Sequence, residues 1–259
     1  MSDLYVISSY ASTIVLLYNP LLSINIIRLS FISFVKGIIF DMDGVLVDAM
    51  PYHCKALQMA IKQQTNIEID GRTIFLLEGM PADEIIKVIF RGKGYNHNHY
   101  YFTIIDKIHN LKKEILKQIL VLKPIDGIRE LITQLDCIKA VVSGASKQEV
   151  ETILYKIFGR GKFEIVITGD DLEEGKPNPA PFKTVLERMN LKPQEAIVVE
   201  NAPLGVQAAN KAGIECILTL NNSMLKISDF KDLIDENRIF KDTKSASSFL
   251  KNWCYSKSK

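Results

Sequence analysis

From Pro124 onward the chain alternates short apolar runs with amphipathic stretches, and that alternation leaves few architectures open. Helical periodicity predicts helices over 126–135, 146–157, 179–189 and 203–212. The apolar runs between them predict strands over 138–142, 164–168, 196–200 and 214–220. Repeated strand–helix–strand units close by right-handed crossovers into a parallel sheet whose strands are apolar on both faces. The expected fold class is therefore α/β, a doubly wound parallel sheet. Val35 to Phe40, apolar apart from Lys36 and Gly37, predicts one more buried strand upstream. Beyond residue 220 the pattern predicts a weaker helix, a short strand near 238–241 and a terminal helix over 245–252.

Between the first strand and Pro124 the pattern changes to helical only. Amphipathic stretches at 53–64, 83–90 and 102–122 are separated by turn signals at Asp70-Gly71, Met80-Pro81 and Gly92-Lys93-Gly94. The expected division is a core of residues 35–50 and 124–259, a helical insert at 51–123, and an N-terminal extension at 1–34. That extension is uncharged from Leu4 to Ile27 and, as a helix, would measure roughly 36 Å, enough to cross a bilayer. Pro20 and seven Ser, Thr or Asn residues weigh against a span, and Asp3 stands where a secretory signal would carry Lys or Arg. The open readings are a dispensable extension, a membrane anchor through residues 4–27, or packed structure. If it spans, Arg28 and Lys36 put the rest of the chain on the cytoplasmic side.

A formal net charge of +2 over 259 residues, with Lys and Arg scattered, gives no electrostatic footprint for nucleic acid or an acidic membrane surface. The cysteines Cys54, Cys137, Cys216 and Cys254 have neither disulfide-framework nor zinc-ligand spacing. A cytoplasmic monomer or homodimer with reduced thiols is expected.

The chemistry-bearing residues fall at predicted strand ends, where ligands sit on such sheets. "FDMDG" puts Asp41 and Asp43 two residues apart at the end of the first strand. Two carboxylates about 5 Å apart repel by roughly 3 kcal/mol at an effective dielectric of 20, so a cation is expected beside them. A hard ion such as Mg²⁺ suits carboxylate and phosphate oxygens. The plainer reading is an acidic capping pair in a turn. "VVSGAS" places Ser143 and Gly144 between a strand end and a helix start, an anion site or an ordinary turn. "EGKPNPAPF" holds Lys176 in a proline-stiffened loop, and "VVENAPLG" ends a strand on Glu200 and Asn201.

The order and spacing of these four motifs, from about Val35 to Leu220, resemble the haloacid dehalogenase superfamily. The resemblance implies a Rossmann-like core with an inserted α-helical cap. It also implies Asp41 as nucleophile and metal ligand, and Asp43 as general acid/base whose carbonyl binds Mg²⁺. Gly44, Ser143, Gly144 and Lys176 would bind the phosphoryl group, with Lys176 also catalytic, and Glu200 and Asn201 would hold metal. The family commonly has Asp at the position of Asn201, so this chain lacks one charge there.

The helical insert resembles the cap of the subgroup containing phosphoglycolate phosphatase, sugar-phosphate phosphatases and β-phosphoglucomutase. "DAMPYH" resembles the mutase segment with a hinge-side acid and a histidine, which falls on His53 and could equally be a polar residue on the first cap helix. "EGMPADEIIKVI" resembles the stretch that carries the mutase's arginine for the distal phosphate, and this chain has Ala82 there. Lys112 or Lys113 could stand in for that arginine, but the expectation is that both face solvent. The expected activity is therefore a Mg²⁺-dependent phosphatase acting on a small phosphorylated metabolite, with cap closure hinged near Asp48 and Pro124. A phosphosugar mutase and a non-catalytic phosphate-binding protein are the alternatives.

Overall fold

The N-terminal apolar stretch does not form a helical span. In the computed structural model, which describes residues 4–9, 12–19, 22–25, 36–94 and 99–255, it forms three strands. They are β1 (Leu4–Ser9), β2 (Ser12–Asn19) and β3 (Leu22–Asn25), an antiparallel sheet in the order β1-β2-β3. Leu4 stands opposite Leu17, and Ser9 opposite Ser12. Ile, Val, Thr and Tyr are dense here, and such side chains favour a pleated surface over a helix. Among the described residues, no helix is long and apolar enough to cross a membrane.

A second unit, Lys36–Ser256, carries everything else. It opens with β4 (Gly37–Asp41), buried throughout, and continues into four helices. These are α1 (Met50–Thr65), α2 (Gly71–Leu76), α3 (Ala82–Gly92) and α4 (His99–Ile119). α1 packs along α4. The first buries Cys54, Leu57 and Ile61, and the second buries Ile104, Ile108 and Ile115, at spacings of three, four or seven residues that keep each set on one helix face. α2 falls where only a turn was expected. Asp70 caps it by accepting from the Arg72 N–H at 3.3 Å, and six residues are too few to show a helical period. The two chain crossings between core and insert run side by side. The Asp48 N–H donates to the Lys123 carbonyl at 2.9 Å, and the Ile125 N–H to the Leu46 carbonyl at 3.1 Å.

The chain then alternates as expected: α5 (Ile128–Gln134), β5 (Ile138–Val142), α6 (Lys147–Phe158), β6 (Ile165–Ile167), α7 (Ala180–Met189), β7 (Ala196–Glu200), α8 (Pro203–Ala212), β8 (Glu215–Thr219), β9 (Ile239–Phe240) and α9 (Thr243–Tyr255). Six parallel strands lie in the order β6-β5-β4-β7-β8-β9. Side-chain alternation divides their core between two faces. Ile39, Ala140 and Val198 join one apolar cluster with Phe182 and Val206 of α7 and α8. Ile38, Phe40, Val141 and Val199 join another with Leu131 and Ile153 of α5 and α6 and Leu250 of α9. A strand with core on both sides has no polar face, which is why these stretches read as unbroken apolar runs. The weaker helix expected after residue 220 is two short 3₁₀ turns, Ile227–Phe230 and Glu236–Arg238.

Candidate active site

The winding of the sheet reverses between β4 and β7, and that switch point brings two acidic strand ends together. Asp41 ends β4 and Glu200 ends β7. Between them lies Lys176, from the loop ahead of α7, with Nζ 2.5 Å from Asp41 Oδ1 and 2.5 Å from Glu200 Oε1. All three are buried. The other oxygen of Glu200 accepts from the N–H groups of Asn201 at 2.9 Å and Ala202 at 3.3 Å, just ahead of α8. Its carboxylate presses so closely on α8 that a Cβ at Gly205 would overlap it. Both oxygens of Glu200 are thus engaged. Predicted as a metal ligand, it anchors Lys176 and the start of α8.

Past Asp41 the chain folds back on itself, with the Met42 carbonyl accepting from Leu46 at 2.9 Å and Val47 at 3.0 Å. Gly44 takes φ +86° there, and its N–H donates to the Val47 carbonyl at 2.7 Å. That amide is engaged within the turn. What Gly44 provides is room, since a Cβ would overlap the Asn201 amide.

His53 of α1 approaches Asp43, its Nε2 3.9 Å from Asp43 Oδ1. Its Nδ1 lies 3.1 Å from Lys112 Nζ. Lys112 therefore turns inward, where solvent exposure was predicted. It sits between Ile108 and Ile115 on the buried face of α4, so the packing of α4 against α1 carries its amine toward the site. Ser143, at the end of β5, is buried, and its Oγ accepts from the Ala145 N–H at 3.2 Å. Gly144 beside it is exposed.

Two residues of the insert were missed from the sequence as site candidates, Lys112 as above and Glu78. Glu78 lies in the turn after α2, is buried, and accepts through both carboxylate oxygens, each 3.0 Å from Asn201 Nδ2. Its only sequence signal is an acid inside "LLEGM", next to Gly79 at φ +100°.

Four carboxylates thus surround one directly paired ammonium, and the proton affinities of Asp41, Asp43 and Glu78 rise. Burial pushes Asp41 up to about 7, with Lys176 opposing and Glu200 and Asp43 adding to the rise. Burial pushes Asp43 to about 6, helped by Glu149 and opposed by Lys112 and Lys176. Burial and the charge of Asp41 hold Glu78 well above the usual carboxylate range. Burial disfavours a charged Lys176, yet Asp41 and Glu200 outweigh that and hold it above its ordinary value. Burial, then Lys112, lowers His53 to about 3, so its imidazole is neutral.

Two buried acceptors in the site, Asp43 Oδ1 and Asn201 Oδ1, have no hydrogen-bond partner. Unsatisfied oxygens beside excess carboxylate fit a hard divalent cation, for which Asp41, Asp43 and Asn201 are the candidate ligands. Among the described residues, no three His, Cys, Asp or Glu side chains form a metal-binding group. An amide oxygen and backbone carbonyls would have to complete such a shell.

A Rossmann-like sheet with an acid–lysine–acid cluster at its switch point, covered by a helical insert, defines a hydrolase core of the capped α/β kind. The chain belongs to the haloacid dehalogenase-like hydrolase family, whose model matches residues 38–219. It is 26% identical over 207 residues to a phosphorylated carbohydrates phosphatase of Thermotoga maritima, covering 79% of this chain and 92% of that protein. It is 26% identical over 181 residues to a fructose-1-phosphate phosphatase of Escherichia coli, covering 70% and 94%. A proposed β-phosphoglucomutase structure from Bacteroides vulgatus superposes with a TM-score of 0.73 at 27% identity, covering 86% of this chain and 91% of that one.

Proposed function

We propose that this chain is a Mg²⁺-dependent phosphatase that hydrolyses a small phosphomonoester, of the sugar-phosphate or phosphoglycolate kind, through an aspartyl-phosphate on Asp41. The observation that carries the reading is the buried Asp41–Lys176–Glu200 trio beside two unpartnered oxygens. Such a site favours an anionic substrate only with added positive charge. The names of the relatives, which act on phosphorylated carbohydrates and fructose 1-phosphate, agree with it.

In the first step an Asp41 carboxylate oxygen attacks phosphorus in line, and the bond to the leaving alkoxide breaks. Asp43, its carboxyl raised to about 6, still holds a proton in part of the population near neutrality and gives it to that alkoxide. Lys176 and the Ser143 hydroxyl balance charge on the equatorial oxygens. In the second step water attacks the aspartyl-phosphate, Asp43 takes its proton, and phosphate leaves with Asp41 restored. When bound, Mg²⁺ would neutralise charge shared by Asp41 and the phosphoryl group, held by Asp41, the Asp43 carbonyl and Asn201 Oδ1. His53 and Lys112, from the insert, lie next to Asp43, where a leaving group accepting its proton would sit.

The inward turn of Lys112 supports a second reading, a phosphosugar mutase, because it supplies a cation where Ala82 offers none. The test is phosphate release from a panel of phosphomonoesters, with Mg²⁺ and with EDTA. Metal-dependent release abolished by Asp41→Asn supports the phosphatase. Isomerised product without free phosphate supports the mutase, and no turnover of either kind overturns both.

A further inference from the structure

Asn201 stands in the core, but what fixes its side chain comes from the insert. A carboxamide has two ends of nearly equal shape, one a donor and one an acceptor, and its neighbours decide which end faces where. As a carboxylate, the form that a cation bound at the site favours over the acid, Glu78 presents only acceptors, 3.0 Å from Asn201 Nδ2 through each oxygen. It therefore selects the NH₂ end and turns Oδ1 the other way, where that oxygen is buried without a partner. The reverse orientation would set the carbonyl against a carboxylate and leave NH₂ in place of that unpartnered oxygen. Backbone geometry holds Glu78 in reach. Gly79 takes φ +100° and lies so close to the core that a Cβ there would stand 3.2 Å from Lys176 Cβ and 3.8 Å from Leu204 Cβ. The turn carrying Glu78 rests directly on the loop that carries Lys176.

We propose that Glu78 is a positioning residue for the cation site, orienting the Asn201 amide and supplying from the insert the negative charge that position 201 lacks. The site is complete only while the insert lies closed on the core, so cation binding and closure favour each other. This rests on the cation-dependent reading above. Partners one layer outside a metal's ligands set affinity by about tenfold to a hundredfold.

The test uses the full chain and Mn²⁺, a hard divalent stand-in for Mg²⁺, with free Mn²⁺ read by electron paramagnetic resonance in the absence of substrate. Glu78→Gln is expected to weaken Mn²⁺ binding by about tenfold or more while circular dichroism and melting show a folded chain. The double variant Glu78→Gln with Asn201→Asp is expected to bind again as the parent does, because the charge has moved to the ligand and the carboxamide introduced at position 78 can donate to it. A purely structural role for Glu78 predicts no such rescue. Folded Glu78→Gln with the parent's Mn²⁺ affinity, or a double variant as weak as the single one, overturns the assignment. A parent that binds no Mn²⁺ overturns it together with the Mg²⁺-dependent reading. A parent that binds Mn²⁺ but releases no phosphate removes only the phosphatase reading, and the two variants still decide the role of Glu78.

Discussion

Lys176→Met removes the one cation shared by two buried carboxylates while keeping a side chain of similar length. With Nζ 2.5 Å from each, the oxygens of Asp41 and Glu200 stand no more than about 5 Å apart. At an effective dielectric of 20 their repulsion is roughly 3 kcal/mol, which agrees with the roughly 3–5 kcal/mol lost when one partner of a buried pair is deleted. The sign of the pH dependence follows from Asp41. Its carboxyl is already raised to about 7 and rises further without the lysine, so the folded variant takes up a proton more readily than the unfolded chain. A raised carboxyl stabilises the fold at low pH and loses that contribution as pH climbs through the folded value. Urea unfolding without metal should therefore show a deficit of about 3 kcal/mol at pH 8 that shrinks toward pH 5. Adding Glu200→Gln should recover part of the loss by removing the facing charge. A deficit under about 1 kcal/mol, or one that grows on acidification, would refute the ion-trio account.

Gly205→Ala places a methyl in overlap with the Glu200 carboxylate, so that group must move off Lys176 or the start of α8 must shift. A loss of about 1–3 kcal/mol in unfolding free energy and impaired phosphate release are expected, whereas unchanged stability would mean the helix yields freely. Protons and a cation compete for Asp41, raised to about 7, so Mn²⁺ affinity must fall as pH falls through that value. Between pH 7.5 and 5.5 the expected loss is about tenfold to a hundredfold, and a flat titration would contradict it. The Cys137 and Cys254 sulfurs lie 2.9 Å apart and both thiols are part-exposed. Diamide, which takes up both thiol hydrogens, should join them in one intramolecular disulfide visible by peptide mapping and absent in Cys254→Ser. Reaction at Cys54 or Cys216 instead would refute the proximity.

The sequence was most legible where local rules and the core agree. Ile38, Ile39 and Phe40 had to be a strand buried on both faces, since no polar side was available to meet water. The strand–helix alternation then left the parallel sheet as the natural way to bury those runs, and put Asp41, Ser143 and Glu200 at the carboxyl ends. The same local rules left the reading open over residues 4–25, where an uncharged run of strand-forming residues has the length of a membrane helix. Period alone cannot separate the two.

What only tertiary structure decided is which partner each polar atom has. Glu200 reads from the sequence as an acid at a strand end available to a metal, and its hydrogen-bond partners, Lys176 and the backbone ahead of α8, are set by packing. Lys112 and Glu78 carry no motif. They reach the site because α4 packs along α1 and because the turn after α2 lies on the Lys176 loop, 123 residues of chain separating Glu78 from Asn201. Hydrophobic periodicity records which face of an element is buried, whereas a hydrogen bond between distant segments depends on sub-ångström placement of whole elements, and no short stretch of sequence encodes that.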